Sequence, residues 1–325
     1  MVLVKGEQMR YGLPYKGSKN AIAEWIVTEL PYSKCFVDLF CGGGAVTHRA
    51  LLSGKYKRFI MNDVDARLPI LFKDVCLGKY TMENQKWISR DEFNRLKETD
   101  AYIALIWSFG NNGIDYLYGY EIEEFKHALH KTVYENNAEY LKPFGLEVKE
   151  SKHTDVYKRY LDYNRQLKTL CEKEQFTRLQ NLENMNGLEC LQRLNRLCEM
   201  SHLKSVADGI ETYGTDYQNV PIPEGALIYC DIPYKSTNCG KYDGFDHDRF
   251  YEWAEKQDNI FISEYSMPDD FIKFAWKDKV VLSDKNGNSA VAKEMIYTNK
   301  RTYDKLSNSQ REIAKMNFAE QMTLF

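Results

Sequence analysis

Three short stretches of the chain combine acids, a cation, aromatic rings and glycines at spacings that suit chemistry. The first is Asp231-Ile232-Pro233-Tyr234. Pro233 fixes its own φ and restricts the residue before it, so the Ile232 carbonyl can be held beside the Asp231 carboxylate. Two acceptors side by side grip both hydrogens of an amino group, and the Tyr234 ring can lie against a planar base. The same four residues would also serve as a plain strand-ending turn. The second stretch is Gly42-Gly43-Gly44, followed nineteen positions beyond Gly44 by Asp63. Glycines let a backbone approach a cofactor closely, and an acid ending the next strand takes both ribose hydroxyls. This pattern does not separate a nicotinamide cofactor from S-adenosylmethionine. The third is Tyr15-Lys16-Gly17-Ser18-Lys19, where Ser18 suits an N-cap and Lys19 supplies charge for a carboxylate. An ordinary helix start reads the same way. Gly12 sits where a phosphate loop would have its upstream glycine, but no strand precedes it, which argues against an NTPase.

These residues need elements to position them. Residues 35–40 read as a short buried strand, 45–52 as a helix, and 58–62 as a second strand ending at Asp63. Residues 21–30 form an amphipathic helix pattern ahead of them. Strand, glycine turn, helix, strand and acid make the opening half of a parallel nucleotide-binding sheet. After about residue 71 the pattern changes: 91–96 and 121–131 suit polar-faced helices. Residues 152–174 suit a charged helix with Tyr157, Tyr160, Leu161, Leu167 and Leu170 as its apolar face. Strand patterning returns at 226–230, 259–263, 279–282 and 294–297. The expected organisation is therefore a discontinuous α/β domain, 1–72 and 206–305, with an insertion at 73–205 and a tail at 306–325. One segment matches neither regular period: Leu179, Leu182, Met185, Leu188, Leu191, Leu194 and Leu197 recur every third position. On an α-helix that stripe drifts about 60° per step, and a structural role is expected for it.

Composition narrows the function classes. The chain has 325 residues, 43% hydrophobic and 28% charged, enough to build a core and exclude wholesale disorder. Its 23 tyrosines supply flat rings with a polar edge for stacking on bases, although AT-rich codon usage would give the same count. A net charge of −3 argues against a protein that coats nucleic acid non-specifically and leaves room for a locally basic cleft. No stretch approaches the roughly 18 apolar residues needed to span a bilayer. Residues 1–15 lack a signal-peptide pattern. The eight cysteines are scattered, without a C-x-x-C pair or nearby histidines, so neither a metal site nor a disulfide framework is expected, and a reducing cytoplasm is.

In this order the motifs resemble the Dam-type DNA adenine-N6 methyltransferases, their phage-borne branch above all. Tyr15 to Lys19 resembles the family's N-terminal cofactor motif, aromatic-x-Gly-Gly-Lys, with Ser18 in place of the second glycine. Phe36-Val37-Asp38-Leu39-Phe40-Cys41-Gly42-Gly43-Gly44 matches the glycine motif, and Asn62-Asp63 the ribose acid. Ser108-Phe109-Gly110-Asn111-Asn112-Gly113 resembles the Asn-Gly segment that follows in such enzymes. Asp231 to Tyr234 resembles the catalytic tetrad, normally Asp-Pro-Pro-Tyr, with Ile232 replacing the first proline. Ile262-Ser263-Glu264-Tyr265 and Met267 to Phe271 look like the segment beyond it.

The resemblance implies a Rossmann-like α/β sheet dependent on S-adenosylmethionine, carrying a largely helical inserted target-recognition domain. It implies methyl transfer to the N6 amino group of adenine in double-stranded DNA, with the base flipped out. Asp231, Ile232, Pro233 and Tyr234 are then the catalytic group. Tyr15, Lys19, Asp38, Phe40, Gly42, Gly44, Asp63 and Asp231 would bind the cofactor, Lys19 at its carboxylate and Asp38 at its ammonium. Lys149, Lys152, Lys158, Arg159, Arg165, Lys168, Arg178, Arg193 and Arg196 are candidates for DNA contact, interleaved with acids as on a solvated helix face. A bacterial or phage-infected cytoplasm and a restriction–modification setting go with this reading. N4-cytosine and RNA amino-methyltransferases share the chemistry, although Asp rather than Ser at position 231 points to adenine. A catalytically decayed DNA-binding relative rests on Ile232, and a nicotinamide oxidoreductase leaves the tetrad unexplained. Separately, Gln321-Met322-Thr323-Leu324-Phe325 resembles the Gln-Leu-x-Leu-Phe pentapeptide that docks proteins on the bacterial sliding clamp.

Overall fold

The computed structural model describes residues 10–83, 85–173, 187–234, 244–282 and 289–307. The chain divides into two compact units, one holding 18–70 and the residues from 209 onward together with the stretch up to Gly12, the other holding 13–17 and 71–208. The first unit is built on a seven-stranded sheet: β1 (Cys35–Asp38), β2 (Arg58–Asn62), β3 (Ile210–Tyr213), β4 (Leu227–Asp231), β5 (Ile260–Glu264), β6 (Phe271–Leu282) and β7 (Ser289–Asn299). Their order is β3-β2-β1-β4-β5-β7-β6. The first five strands pair in parallel, whereas β7 runs antiparallel to both β5 and β6. This is the expected Rossmann-like sheet, with its switch point between β1 and β4, where such sheets bind ligands beyond the strand ends.

The helices of the described residues are α1 (Ala23–Glu29), α2 (Ala45–Ser53), α3 (Arg67–Cys76), α4 (Arg90–Leu96), α5 (Ala101–Ile106), α6 (Tyr120–Glu135), α7 (Val156–Lys173), α8 (Glu189–Glu199), α9 (Lys204–Ala207), α10 (His247–Ala254) and α11 (Lys300–Lys305). β1 is buried at every position, as a parallel strand covered on both faces must be. Its residues alternate between two cores. Val37 joins Ile60, Ile228, Cys230 and Ile262, and Phe250 and Ala254 of α10 pack against this face. Phe36 points the other way, with its ring centroid 4.9 Å from that of Tyr56, 6.4 Å from Phe59 and 6.3 Å from Tyr229.

In the second unit the three-residue leucine period becomes an ordinary helix start. Leu191, Leu194 and Leu197 are buried on α8, whose buried face is wide enough to absorb the drift, and Leu188 is buried at its N-cap; 179–186 lie outside the described residues. The expected face of α7 needs correction. Val156, Tyr160, Tyr163 and Leu167 are buried at helical spacing, but Leu161, turned about 100° from Tyr160, is 45% exposed. Two of the candidate DNA-contacting arginines instead fasten backbone. Arg193 donates to the carbonyls of Ile106 at 2.8 Å and Ser108 at 2.7 Å, satisfying the open end of α5. Arg159 donates to the Tyr134 carbonyl at 2.8 Å. Lys149, Lys152, Lys158, Arg165 and Lys168 are exposed. Arg178 and the tail residues Gln321, Met322, Leu324 and Phe325 lie outside the described residues. No helix among the described residues is long and apolar enough to cross a membrane.

The Phe36 ring makes the packing of β1 testable. Phe36→Ala is expected to lower unfolding free energy by about 3–5 kcal/mol in urea denaturation, and a loss under about 1 kcal/mol would contradict the packing described.

Candidate active site

The carboxyl ends of β1 and β4 lie side by side, because Asp38 is in register with Tyr229. The chain leaves β1 through a tight loop into α2. The Gly44 N–H donates to the Cys41 carbonyl at 2.7 Å, and the Cys41 N–H to the Asn62 carbonyl at 2.9 Å. Gly42 and Gly44 have φ of 48° and 68°, a region that favours glycine. The backbone of Gly12 lies against this loop. A Cβ there would stand 2.5 Å from the Gly43 oxygen, and the Gly12 N–H is held by His48 Nδ1 at 3.0 Å. Asp63, 4% exposed, accepts from the Gly42 N–H at 2.9 Å and from the Asp65 N–H at 2.9 Å, which ties the end of β2 to the glycine loop. The ring of Phe40 turns into an aromatic cluster with Tyr217, Phe245 and Phe250. Tyr15 is half-buried on the 13–17 segment and belongs with the second unit.

Asp38 is 1% exposed. Its Oδ2 accepts from Thr47 Oγ1 at 2.7 Å, while Oδ1 has no hydrogen-bond partner among the described residues. Burial pushes its carboxyl up to about 7, with the negative charges of Asp231 and Asp63 adding to the effect against the Thr47 bond.

The tetrad follows β4. Ile232 is 2% exposed with its side chain in the core beneath the sheet, so this departure from proline contributes apolar burial. Lys19, on the turn capped by Ser18, is 6% exposed and 3.0 Å from Asp231 Oδ1. It also meets the Tyr234 hydroxyl, and its Nζ lies 4.3 Å from that ring's centroid. The Tyr234 hydroxyl donates to Glu294 Oε2 at 2.9 Å. Glu294, on β7, is 1% exposed and 3.8 Å from the Lys19 ammonium. Burial alone would lower the Lys19 pKa, but Asp231 and then Glu294 outweigh it, and the pKa is raised. Burial also raises the Tyr234 phenol well above its ordinary value, with Asp231 and Glu294 adding to this, so the ring stays neutral. Tyr265 packs edge-on against Tyr234 at 4.4 Å. The imidazole of His247 reaches the Pro233 carbonyl at 2.8 Å, which steadies the peptide after the tetrad's proline.

Lys19, read from sequence as a clamp for the cofactor's carboxylate, is therefore engaged by the tetrad's own acid. Sequence reasoning also missed Thr47, His247 and Glu294, and it named Tyr265 only as part of the segment beyond the tetrad. Glu294 left one usable signal: an acid opening the apolar run at 294–297 is expensive to bury unless partnered. The others are ordinary residues of helices and loops, and only the fold brings them to this edge.

A family model described as D12 class N6 adenine-specific DNA methyltransferase matches residues 15–305. No curated protein matches the chain. The sheet order, the glycine loop and the acid at the end of β4 agree with the family match, and the chain belongs to the D12 class N6 adenine-specific DNA methyltransferases, which transfer a methyl group from S-adenosylmethionine to the N6 amino group of adenine in DNA.

Proposed function

We propose that the first unit performs this transfer with Asp231 and the Ile232 carbonyl as the acceptors of the adenine amino group. The observation that carries the reading is the Lys19–Asp231 pair at the carboxyl end of β4, a cation 3.0 Å from the carboxylate that favours its charged, accepting form. The amino lone pair of adenine is delocalised into the ring and nucleophilically weak. Accepting both of its hydrogens favours a pyramidal nitrogen whose lone pair is available. When bound, S-adenosylmethionine supplies an electrophilic methyl, whose bond to sulfur breaks as the nitrogen lone pair forms the new bond. The methylated nitrogen, briefly cationic, then gives one proton to the Asp231 carboxylate and on to solvent. Tyr234 stacks on the flipped base, held by its hydroxyl and by Tyr265. Positioning and electrostatics supply the rate, with no covalent enzyme intermediate.

The glycine loop fits this cofactor. The closeness of Gly12 to Gly43 leaves backbone where side chains would fill space, and Asp63 beside Gly42 suits a ribose. The unmatched Oδ1 of Asp38 suits the ammonium of the methionine portion. Target recognition falls to the second unit, a role supported by the exposed Phe109 and Ile114 flanking its Asn-Gly turn and by its exposed lysines. The tail residues Gln321, Met322, Leu324 and Phe325 are assigned to docking on a bacterial sliding clamp, on the pentapeptide pattern alone. A reducing bacterial cytoplasm goes with this reading, and the described cysteines are free thiols.

Asp231→Ala lowers single-turnover transfer of labelled methyl to duplex DNA by about 10²–10³-fold or more, and Tyr234→Ala costs about 1–3 kcal/mol, roughly 5- to 150-fold; near-normal rates in either would defeat the reading. Asp38 favours the folded protein while protonated, so its contribution is full below the unfolded carboxyl's pKa of about 4 and is lost as pH rises through its folded value of about 7. The cofactor-free protein should therefore lose stability across that window, by at most about 1.4 kcal/mol per pH unit. Cofactor affinity should rise with pH over the same range, and Asp38→Asn should flatten both slopes in thermal unfolding and calorimetric titration. Deleting residues 321–325 should abolish clamp pull-down with methyl transfer unchanged; clamp binding that survives the deletion would end that assignment.

A further inference from the structure

Among the described residues around the tetrad, Glu294 is a buried carboxylate with no assigned task. It is 1% exposed on β7, where its neighbours Ile296 and Tyr297 are also buried. An apolar side chain would occupy such a position at lower cost than an acid. Two of its partners belong to the tetrad or pair with its acid. Glu294 Oε2 accepts from the Tyr234 hydroxyl at 2.9 Å and lies 3.8 Å from the Lys19 ammonium. Because the Tyr234 hydroxyl spends its proton on Glu294, its oxygen is the acceptor for Lys19. The order is therefore Lys19 to Tyr234 to Glu294, with Asp231 on the other side of the same ammonium.

We infer that Glu294 is the positioning residue of the methyl-transfer site, acting through Lys19 and Tyr234. The inference rests on the reading of Asp231 as acceptor of the adenine amino group. Two effects follow from the geometry. First, anchoring the hydroxyl fixes the rotation of the Tyr234 ring, and with it the plane against which the base stacks. Second, Glu294 sets the charge of the cluster. Lys19 and Asp231 alone are neutral together, and the second carboxylate makes the group net negative. During transfer, positive charge moves from sulfur to the amino nitrogen, which then loses a proton. A net negative cluster beside that nitrogen stabilises the charge as it arrives, and does so more strongly in a partly desolvated site than in water. Glu294 also shares the ammonium, so that Lys19 does not spend its whole charge on Asp231. A carboxylate has about four lone-pair sites, which lets Asp231 accept from Lys19 and from an amino group at once.

The test is Glu294→Gln, which keeps the shape and an acceptor for the Tyr234 hydroxyl but removes the charge. Single-turnover methyl transfer to duplex DNA should fall about 10- to 100-fold, with dissociation constants for S-adenosylmethionine and for duplex changed less than threefold. Glu294→Asp, which keeps the charge, should recover at least part of the rate. A rate within twofold of wild type in Glu294→Gln, with Asp231→Ala inactive, would overturn the inference and leave the tetrad reading intact. An active Asp231→Ala would remove that reading instead. Loss of thermal stability or of cofactor binding in step with the rate, or equal defects in the Gln and Asp variants, would each mean a merely structural role.

Discussion

The ion pair of Lys19 and Asp231 at the end of β4 is the interaction on which much of this unit depends. Asp231 ends β4 and is partly exposed, near Asp38, whose own carboxyl is driven toward its neutral form by burial. The cation that faces Asp231 is more deeply buried than the acid itself. Lys19 comes from far upstream in the chain and reaches Asp231 at 3.0 Å. The lysine in turn needs more than one partner to be worth burying, and Tyr234 and Glu294 supply them. The acid and the ring of the tetrad and a buried strand acid thus become one electrostatic unit.

The sheet makes that unit possible. With β1 and β4 adjacent and parallel, their carboxyl ends open on the same edge, one leading into the glycine loop and the other into the tetrad. Reversal at β7 then carries Glu294 back to that edge, since Glu264 at the end of β5 pairs with Met295. The glycine loop is closed from outside by Gly12 and from below by Asp63, so the acid that suits a ribose is also a structural tie. These shared duties explain how small residues in the loop and large ones in the core support one site.

Much of this was legible in the residues themselves. The strands at 35–38 and 58–62 are short apolar runs bounded by glycine or acid, and their order relative to Asp63 points to a parallel sheet. The tetrad stood out because an acid, a proline and a tyrosine directly follow an apolar strand. What stayed hidden depends on contacts distant in sequence. β3 and α10 carry few local signals, since Ile210–Tyr213 is only four residues long and the face of α10 is aromatic rather than aliphatic. The contact of Lys19 with Asp231 is hidden for the same reason: its turn is local, but its partner is more than two hundred residues away. On α7 the apolar residues Leu161 and Tyr157 looked equivalent to Tyr160, and only packing separates them.

The most direct test is structural. The protein would be crystallised with a duplex carrying its target adenine and a non-transferring analogue of S-adenosylmethionine. The account predicts the adenine out of the stack, its amino nitrogen within about 3.2 Å of both the Asp231 carboxylate and the Ile232 carbonyl, and Lys19 still on Asp231. An adenine left in the helix, or an amino group more than about 4 Å from Asp231, would contradict it.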